Sequence, residues 1–385
     1  MFFLPDRKIP VTAERPAFVV CYGTAPVVLP VRNPPLASSC QMPYPRGMHA
    51  PRISVIMPVY NAADTVAEAL ESILAQSFAD FECLAVDDGS TDDSADVLDA
   101  IAARDARVRV LRLPHGGIVP ALNAGLAAAR GSYIARMDAD DYSMPERLAV
   151  QHAFLEQCPD VGMVGCRVAF GGGEDAGGYA RYVDWTNALL DPDRIALERF
   201  RESPFAHPSV MFRASLIPEH GPYRDGPFPE DYELWLRWME AGVRLAKVPQ
   251  TLLRWDDPPT RLSRTDSRYG TDVFYAMKTG YLARWLAANN PFHPHISVIG
   301  AGKTSRRRAL LLREHGVVID RWIDVDPRKI GNVVDGVRVC GRDCLPAPQA
   351  GFCLAYLAGH GAADELEAFL HSIAYVAGRD YLLAS

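Results

Sequence analysis

The sequence predicts an α/β protein: a larger unit with a parallel sheet, followed by a smaller α/β unit. Three observations predict it. Between residues 52 and 137, short apolar runs alternate with segments whose apolar residues recur every three or four positions, the pattern of βαβ units. Two of those runs end in acids, at Asp87-Asp88 and at Asp138-Ala139-Asp140-Asp141. Parallel sheets hold their ligands beyond the carboxyl ends of the strands. After Asn289-Asn290-Pro291 a fresh apolar strand opens into a glycine turn and a helix, so a second unit starts at 292.

Composition bounds the rest. The 385 residues are 49% apolar and 23% charged, ordinary for a globular chain of two domains. A net charge of −7 argues against nucleic acid as the main partner, because phosphate backbones are held by surplus Lys and Arg. No apolar run approaches the ~20 residues of a bilayer span. Met1-Phe2-Phe3-Leu4 meets Pro5, Asp6 and Arg7 at once, unlike a signal peptide, so a soluble cytoplasmic protein is expected. The eight cysteines form no framework, and Cys340-x-x-x-Cys344 lacks a second Cys or His pair to complete a zinc site.

Each element follows in order. Residues 1–51 hold ten prolines and show neither period, so they read as a disordered tail, with Met48 as an alternative start. Residues 53–57 form a buried strand ended by Pro58. A helix capped by Asp64 follows, with Val66, Leu70, Ile73 and Leu74 on one face. Strands are expected over 81–86, 108–113 and 133–137, and helices over 93–103 and 118–130. Beyond Pro145 come helices over 146–157, 230–241 and 271–288, and extended stretches over 161–170 and 247–254. A glycine-rich loop covers 171–178. Residues 52–290 thus read as one domain, and 292–385 as another.

The chemistry concentrates at the strand ends. Asp138, Asp140 and Asp141 crowd negative charge that a hard divalent cation with oxygen ligands would offset, and such cations bring substrate phosphates with them. Taken alone, an Asp-x-Asp is a solvated turn. A second acidic strand end in the same inferred sheet, at Asp87 and Asp88, makes surface decoration a poorer explanation for both. Turn and cap chemistry for the next helix accounts for Gly89 and part of Ser90 or Asp92, and does not require Asp87.

Four stretches carry a resemblance: Val55-Ile-Met-Pro-Val-Tyr-Asn61, Val86-Asp-Asp-Gly-Ser-Thr-Asp92, Leu122-Asn-Ala-Gly125 and Gly131-Ser-Tyr-Ile-Ala-Arg-Met-Asp-Ala-Asp-Asp141. Their order and spacing resemble the family 2 glycosyltransferases of the GT-A fold, across residues 52–260. The resemblance implies a nucleotide-diphospho-sugar donor, a UDP-sugar before others, with Mn²⁺ or Mg²⁺ and inversion at the anomeric carbon. It implies that Pro58, Tyr60 and Asn61 line the nucleotide pocket and that Asp87 or Asp88 bonds the base. Asp138 would meet the ribose side and share the metal site with Asp140, the main ligand, with Asp141 as a helper. Pro229-Glu230-Asp231 resembles the family's Glu-Asp motif, in which Asp231 takes the acceptor proton beside Glu230. Trp235 and Trp238 on the same helix read as core first and acceptor platform second. His207 stands where the family has a His-Pro pair near the active site. Gln250-Thr-Leu-Leu-Arg254-Trp255 carries one residue too many for the processive Gln-x-x-Arg-Trp motif. A non-processive enzyme is therefore expected, with Arg254 or a neighbour beside the leaving diphosphate.

The second unit opens with Gly300-Ala301-Gly302-Lys303, which resembles the turn of Rossmann-like modules without matching a P-loop or a full dinucleotide fingerprint. Gly300, Gly302 and Lys303 are a candidate second nucleotide site, and a scaffold role is as well supported. Arg306, Arg307 and Arg308 crowd the same helix start, where positive charge needs an offset. The whole reads as a transferase acting on a glycan, lipid-linked or small-molecule acceptor. A sugar-sensing module that has lost activity is the rival. A nucleotidyltransferase is disfavoured, because Val59-Tyr60-Asn61-Ala62-Ala63 is no Gly- and Lys-rich phosphate loop.

Overall fold

A computed structural model describes residues 50–172, 177–258, 261–357 and 361–385. The expected tail, apart from its last two residues, and the middle of the glycine-rich loop lie outside them. The alternation at the start is present: β1 (Ile53–Val59), α1 (Val66–Leu74), β2 (Phe81–Asp87), α2 (Ser94–Ala102), β3 (Val108–Arg112), α3 (Ile118–Ala128) and β4 (Tyr133–Arg136). There follow β5 (Tyr142–Ser143), α4 (Arg147–Gln157), β6 (Val161–Phe170), α5 (Gly177–Ala188), α6 (Pro192–Glu198), β7 (Met211–Arg213), α7 (Leu216–His220), α8 (Glu230–Glu240), β8 (Arg244–Trp255), α9 (Leu262–Thr265) and α10 (Thr271–Asn289).

The first sheet runs β3-β2-β1-β4-β7-β6-β8-β5. Its first four strands are parallel, as βαβ crossovers require. The parallel sheet expected from the alternation over 52–137 is these four strands; beyond them β7 is antiparallel to both β4 and β6, β6 pairs parallel with β8, and β5 is antiparallel to β8. Met211–Arg213 is three residues long, too short to show a period. Two local expectations also change. Pro58 lies inside β1, whose pairing with β4 has already ended at Ile56, so no ladder bond needs its missing N–H. Thr65 and not Asp64 precedes the first helical residue, without a side-chain capping bond.

Packing follows the apolar faces. Val66, Leu70 and Ile73 of α1 and Leu98 of α2 share a core with Val55 and Met57. On the other face, Leu122 of α3 packs with Ile56 and Leu84. Gly125 permits that approach: a Cβ there would sit 2.6 Å from Ile56 Cγ2.

The second sheet is built from β9 (His295–Ile299), β10 (Val318–Ile323), β11 (Val333–Val334), β12 (Val337–Cys340), β13 (Cys353–Ala355) and β14 (Tyr381–Leu383), with α11 (Lys303–Leu310) and α12 (Ala362–Ser372) between them. The order is β11-β12-β10-β9-β13-β14, parallel except for the β11–β12 hairpin. Leu282 and Leu286 of α10 and Tyr232 and Leu236 of α8 join its core with Trp322 and Leu354. The long helix that the sequence assigns to the first unit thus supplies packing to the second.

Candidate active site

The carboxyl ends of the first sheet open on a cleft of about 500 Å³, lined by two acidic clusters, Asp138 with Asp140 and Asp141, and Glu230 with Asp231; Asp87 and Asp88 are not among its lining residues. The first cluster arises where β4 stops at Arg136 and the chain leaves the sheet. The second arises at the start of α8, where Glu230 and Asp231 follow Pro229 and the helix dipole favours acids.

Asp138, Asp140 and Asp141 hold carboxylate oxygens within 4.8 Å of one another. Arg136, buried beneath them, donates from Nη2 to Asp138 Oδ1 at 2.5 Å. Burial works against the guanidinium charge, yet Asp138, Tyr223 and Glu230 together outweigh it and raise the Arg136 pKa. One arginine does not neutralise three acids. Burial, then Asp138, pushes the Asp140 carboxyl up to about 6. Burial, then Asp138 and Asp140, drives Asp141 well above its ordinary range. Asp141 Oδ1 accepts the Asp256 N–H at 2.9 Å, while its buried Oδ2 has no protein partner. An unsatisfied oxygen beside two more carboxylates is the donor set a hard cation takes.

Across the cleft, Asp231 Oδ1 accepts the Tyr232 N–H at 2.7 Å. Burial, then Glu230, pushes Asp231 up to about 7, the range of an effective general base near neutral pH. Glu230 is itself raised, by burial first, and accepts the Tyr269 hydroxyl at 3.0 and 2.8 Å. It is buried behind its neighbour and positioned by that tyrosine.

A family model described as "Glycosyl transferase family 2" matches residues 54–221, the span that carries the first acidic cluster. EpsE of Bacillus subtilis is 33% identical over 231 residues, covering 58% of this chain and 79% of EpsE. The O-antigen biosynthesis glycosyltransferase WbnJ of Escherichia coli is 32% identical over 208 residues, covering 53% of this chain and 78% of its own. The chain belongs to glycosyl transferase family 2. Among solved structures, S. aureus TarS 1–349 in complex with UDP-GlcNAc matches with a TM-score of 0.48 and 18% identity, over 69% of this chain and 71% of that one. The enzyme is a nucleotide-sugar glycosyltransferase with the GT-A fold. Among the described residues, no helix is long and apolar enough to cross a membrane.

In the glycosyltransferase, the loops after β1 and β2 are tied together. Asn61, at φ +49°, accepts the Thr91 N–H on Oδ1 at 2.8 Å, and its own N–H reaches Ser90 Oγ at 3.1 Å. Exposed Tyr60 stacks on His115 with ring centroids 4.1 Å apart. The two acids after β2 differ. Asp88 spends both oxygens on the Gly116 and Gly117 N–H groups, at 2.9 and 2.8 Å, and on His115 Nδ1 at 2.9 Å. Among the described residues, Asp87 accepts one hydrogen bond, from the Ser90 N–H on Oδ1 at 3.0 Å. Of the two, Asp87 is the less engaged. Pro58 stays within β1.

Other candidate residues fall into place or out of it. His207 lines the cleft and shares a 2.8 Å hydrogen bond with the Tyr223 hydroxyl through Nε2. Burial, then Arg136, holds it well below the ordinary histidine value and therefore neutral. Trp235 and Trp238 are fully buried core, the first of their two readings. Arg254 is not among the residues lining the cleft, and it is occupied by Asp256 at 3.0 Å and Glu68 at 3.1 Å. Arg261 lines it instead, stacked 3.7 Å from the Trp255 ring centroid. No local pattern marks Arg261, because a loop residue is placed only by tertiary packing. Arg136 had a signal: two residues before Asp138 on a strand edge, it shares a face with that acid.

In the turn of the second sheet the protein supplies a partner of its own. The Ala301 N–H donates to Asp324 Oδ2 at 2.7 Å, and Lys329 Nζ reaches the same oxygen at 3.0 Å. At Gly300, φ is +103° and a Cβ would lie 2.3 Å from Tyr356 O. The glycine there serves close packing. Gly302 caps α11, and exposed Lys303 begins it.

Proposed function

We propose that this glycosyltransferase moves a sugar, with inversion and one unit at a time, from a nucleotide-diphospho-sugar to an acceptor hydroxyl. UDP-sugars are the donors we favour, and a glycan is the acceptor, in line with a relative named for O-antigen biosynthesis. Residues 52–290 are the transfer unit in this reading, and residues 292–385 buttress it. Buried, free Cys83, Cys166 and Cys353 suit a reducing cytoplasm.

The observation that carries the reading is one cleft with two acid sites of different kinds. Asp140 and Asp141, with Asp138, would hold Mn²⁺ or Mg²⁺. When bound, such a cation offsets the charge that develops on the diphosphate leaving group. The chain's own residues supply the rest. Asp138, oriented by Arg136, takes the ribose side. Asp87 and Asn61 hold the nucleoside end, and Arg261 adds positive charge beside the diphosphate. Asp231 accepts the proton of the acceptor hydroxyl as its oxygen attacks the anomeric carbon, and the bond pair to the donor oxygen leaves with the diphosphate. Neutral His207 and the Tyr269–Glu230 pair hold the wall behind Asp231.

The test is a screen of purified protein for release of nucleoside diphosphate from UDP-, dTDP- and GDP-sugars, with and without Mn²⁺. Asp140→Ala should abolish the metal-dependent part. Wild-type turnover in that variant would remove the cation from the reading.

A further inference from the structure

A second cavity of about 910 Å³ adjoins the catalytic cleft, and the two share Tyr182, Glu202, Tyr269 and Phe274 in their walls. Its remaining wall draws on both sheets' surroundings: α5 and α6 from one side, α10, α11 and the chain's last residues from the other. Four arginines line it, Arg181, Arg194, Arg201 and Arg308, against the acids Asp184, Glu202 and Asp364. Burial raises the Glu202 carboxyl and so favours its neutral form.

Two of these arginines, Arg308 and Arg201, are held by aromatic rings with donors to spare. The Arg308 guanidinium lies 3.9 Å from the Tyr275 ring centroid, and its Nε is buried with no hydrogen-bond partner. Arg201 stacks 5.6 Å from Trp185 and approaches Glu198 and Asp364 only at 3.6 and 3.9 Å, beyond hydrogen-bond reach. The Trp185 Nε1 is a second buried donor without a partner. Unpaired buried donors are costly, and a ligand in this cavity would bring acceptors to the wall that carries Arg308 and Trp185. Planar guanidinium groups pair two donors with phosphate or carboxylate oxygens, while Tyr182, Trp185 and Phe274 offer flat faces to a sugar ring.

We propose that this cavity binds the acceptor and that the acceptor carries an anionic group, a sugar phosphate or a uronate, lodged between Arg308 and Arg201. This rests on the transferase reading above. The sugar ring next to the anion would lie along the shared wall, so that the hydroxyl at the other end enters the cleft at Asp231. Helix α11 thereby acquires a role: its basic residues meet their counter-charge in the acceptor and in Asp272, which pairs Arg307 at 3.1 Å.

Binding is measured by titration calorimetry on the full chain with glucose 1-phosphate, glucuronate and methyl glucoside, and separately with UDP and Mn²⁺. Glucose 1-phosphate or glucuronate should bind, methyl glucoside at least tenfold more weakly, and saturating UDP with Mn²⁺ should not displace the anion. The preference between the two anions tells which one the acceptor carries. Arg308→Gln should weaken the anion by roughly tenfold or more, since hydrogen bonds to charged groups are the strong ones. Exposed Arg181→Gln should weaken it less but measurably. If UDP binds with Mn²⁺ and neither anion does, or both arginine variants bind the anion as wild type, the cavity assignment is overturned and the transferase reading stands. If UDP also fails to bind, the donor reading falls with it.

Discussion

Replacing Asp231 by Asn should slow transfer and stabilise the fold at once. The amide keeps the volume and an oxygen for the Tyr232 N–H that Asp231 now accepts at 2.7 Å. Burial, then Glu230, moves the wild-type carboxyl from the ordinary 3.8 to about 7. A rise of that size places about 4 kcal/mol on the ionised form in the folded state. Because the folded value is the higher one, the folded protein binds the proton more tightly. Stability is therefore lost as pH climbs from about 4 to about 7, and the loss is complete above that. The amide escapes the loss. At pH 8, D231N should be more stable than wild type by up to about 4 kcal/mol, and at pH 3 the difference should vanish. Transfer runs the other way: without the base, kcat should fall by about 10²–10⁴, or about 3–5 kcal/mol in the barrier. The wild-type rate should drop about tenfold per pH unit below 7, because the base must be ionised. Urea unfolding followed by tryptophan fluorescence, and release of nucleoside diphosphate, read the two effects. Wild-type turnover in D231N, or a variant less stable than wild type at pH 8, would refute the reasoning.

Three further outcomes are expected. Saturating Mn²⁺ should raise the melting temperature of wild type, by the equivalent of about 2.7 kcal/mol at a hundredfold excess over Kd, and leave Asp140→Ala unmoved in the same thermal melt. Arg136→Met should destabilise the protein by about 3–5 kcal/mol, since it strips three crowded acids of a buried cation bonded to Asp138; added Mn²⁺ should restore part of that in calorimetry. Gly125→Val should cost about 1–3 kcal/mol in urea unfolding, because its Cβ would meet Ile56 at 2.6 Å and part α3 from β1.

The apolar periods of the chain determined a great deal. Alternation of short apolar runs with 3.6-residue patterns placed β1 to β4 and their helices to within a few residues, and strand ends are where acids can leave the apolar sheet, so both Asp87 and the 138–141 cluster were legible. The Glu230-Asp231 pair was readable as a helix start. Tertiary structure alone decided the rest, because contacts between residues far apart in sequence leave no local period. It inserted the three-residue β7 and set it and β5 antiparallel to the other strands of the sheet. It spent Asp88 on the Gly116 and Gly117 amides, paired Arg254 with Asp256 and Glu68, and brought Arg261 to the cleft in its place. It also drew Arg308 and Arg201, over a hundred residues apart in the chain, into one cavity wall. Residue types state what chemistry is available; only the packing of α8, α10 and the second sheet against the first determines which charges meet, and at what distance.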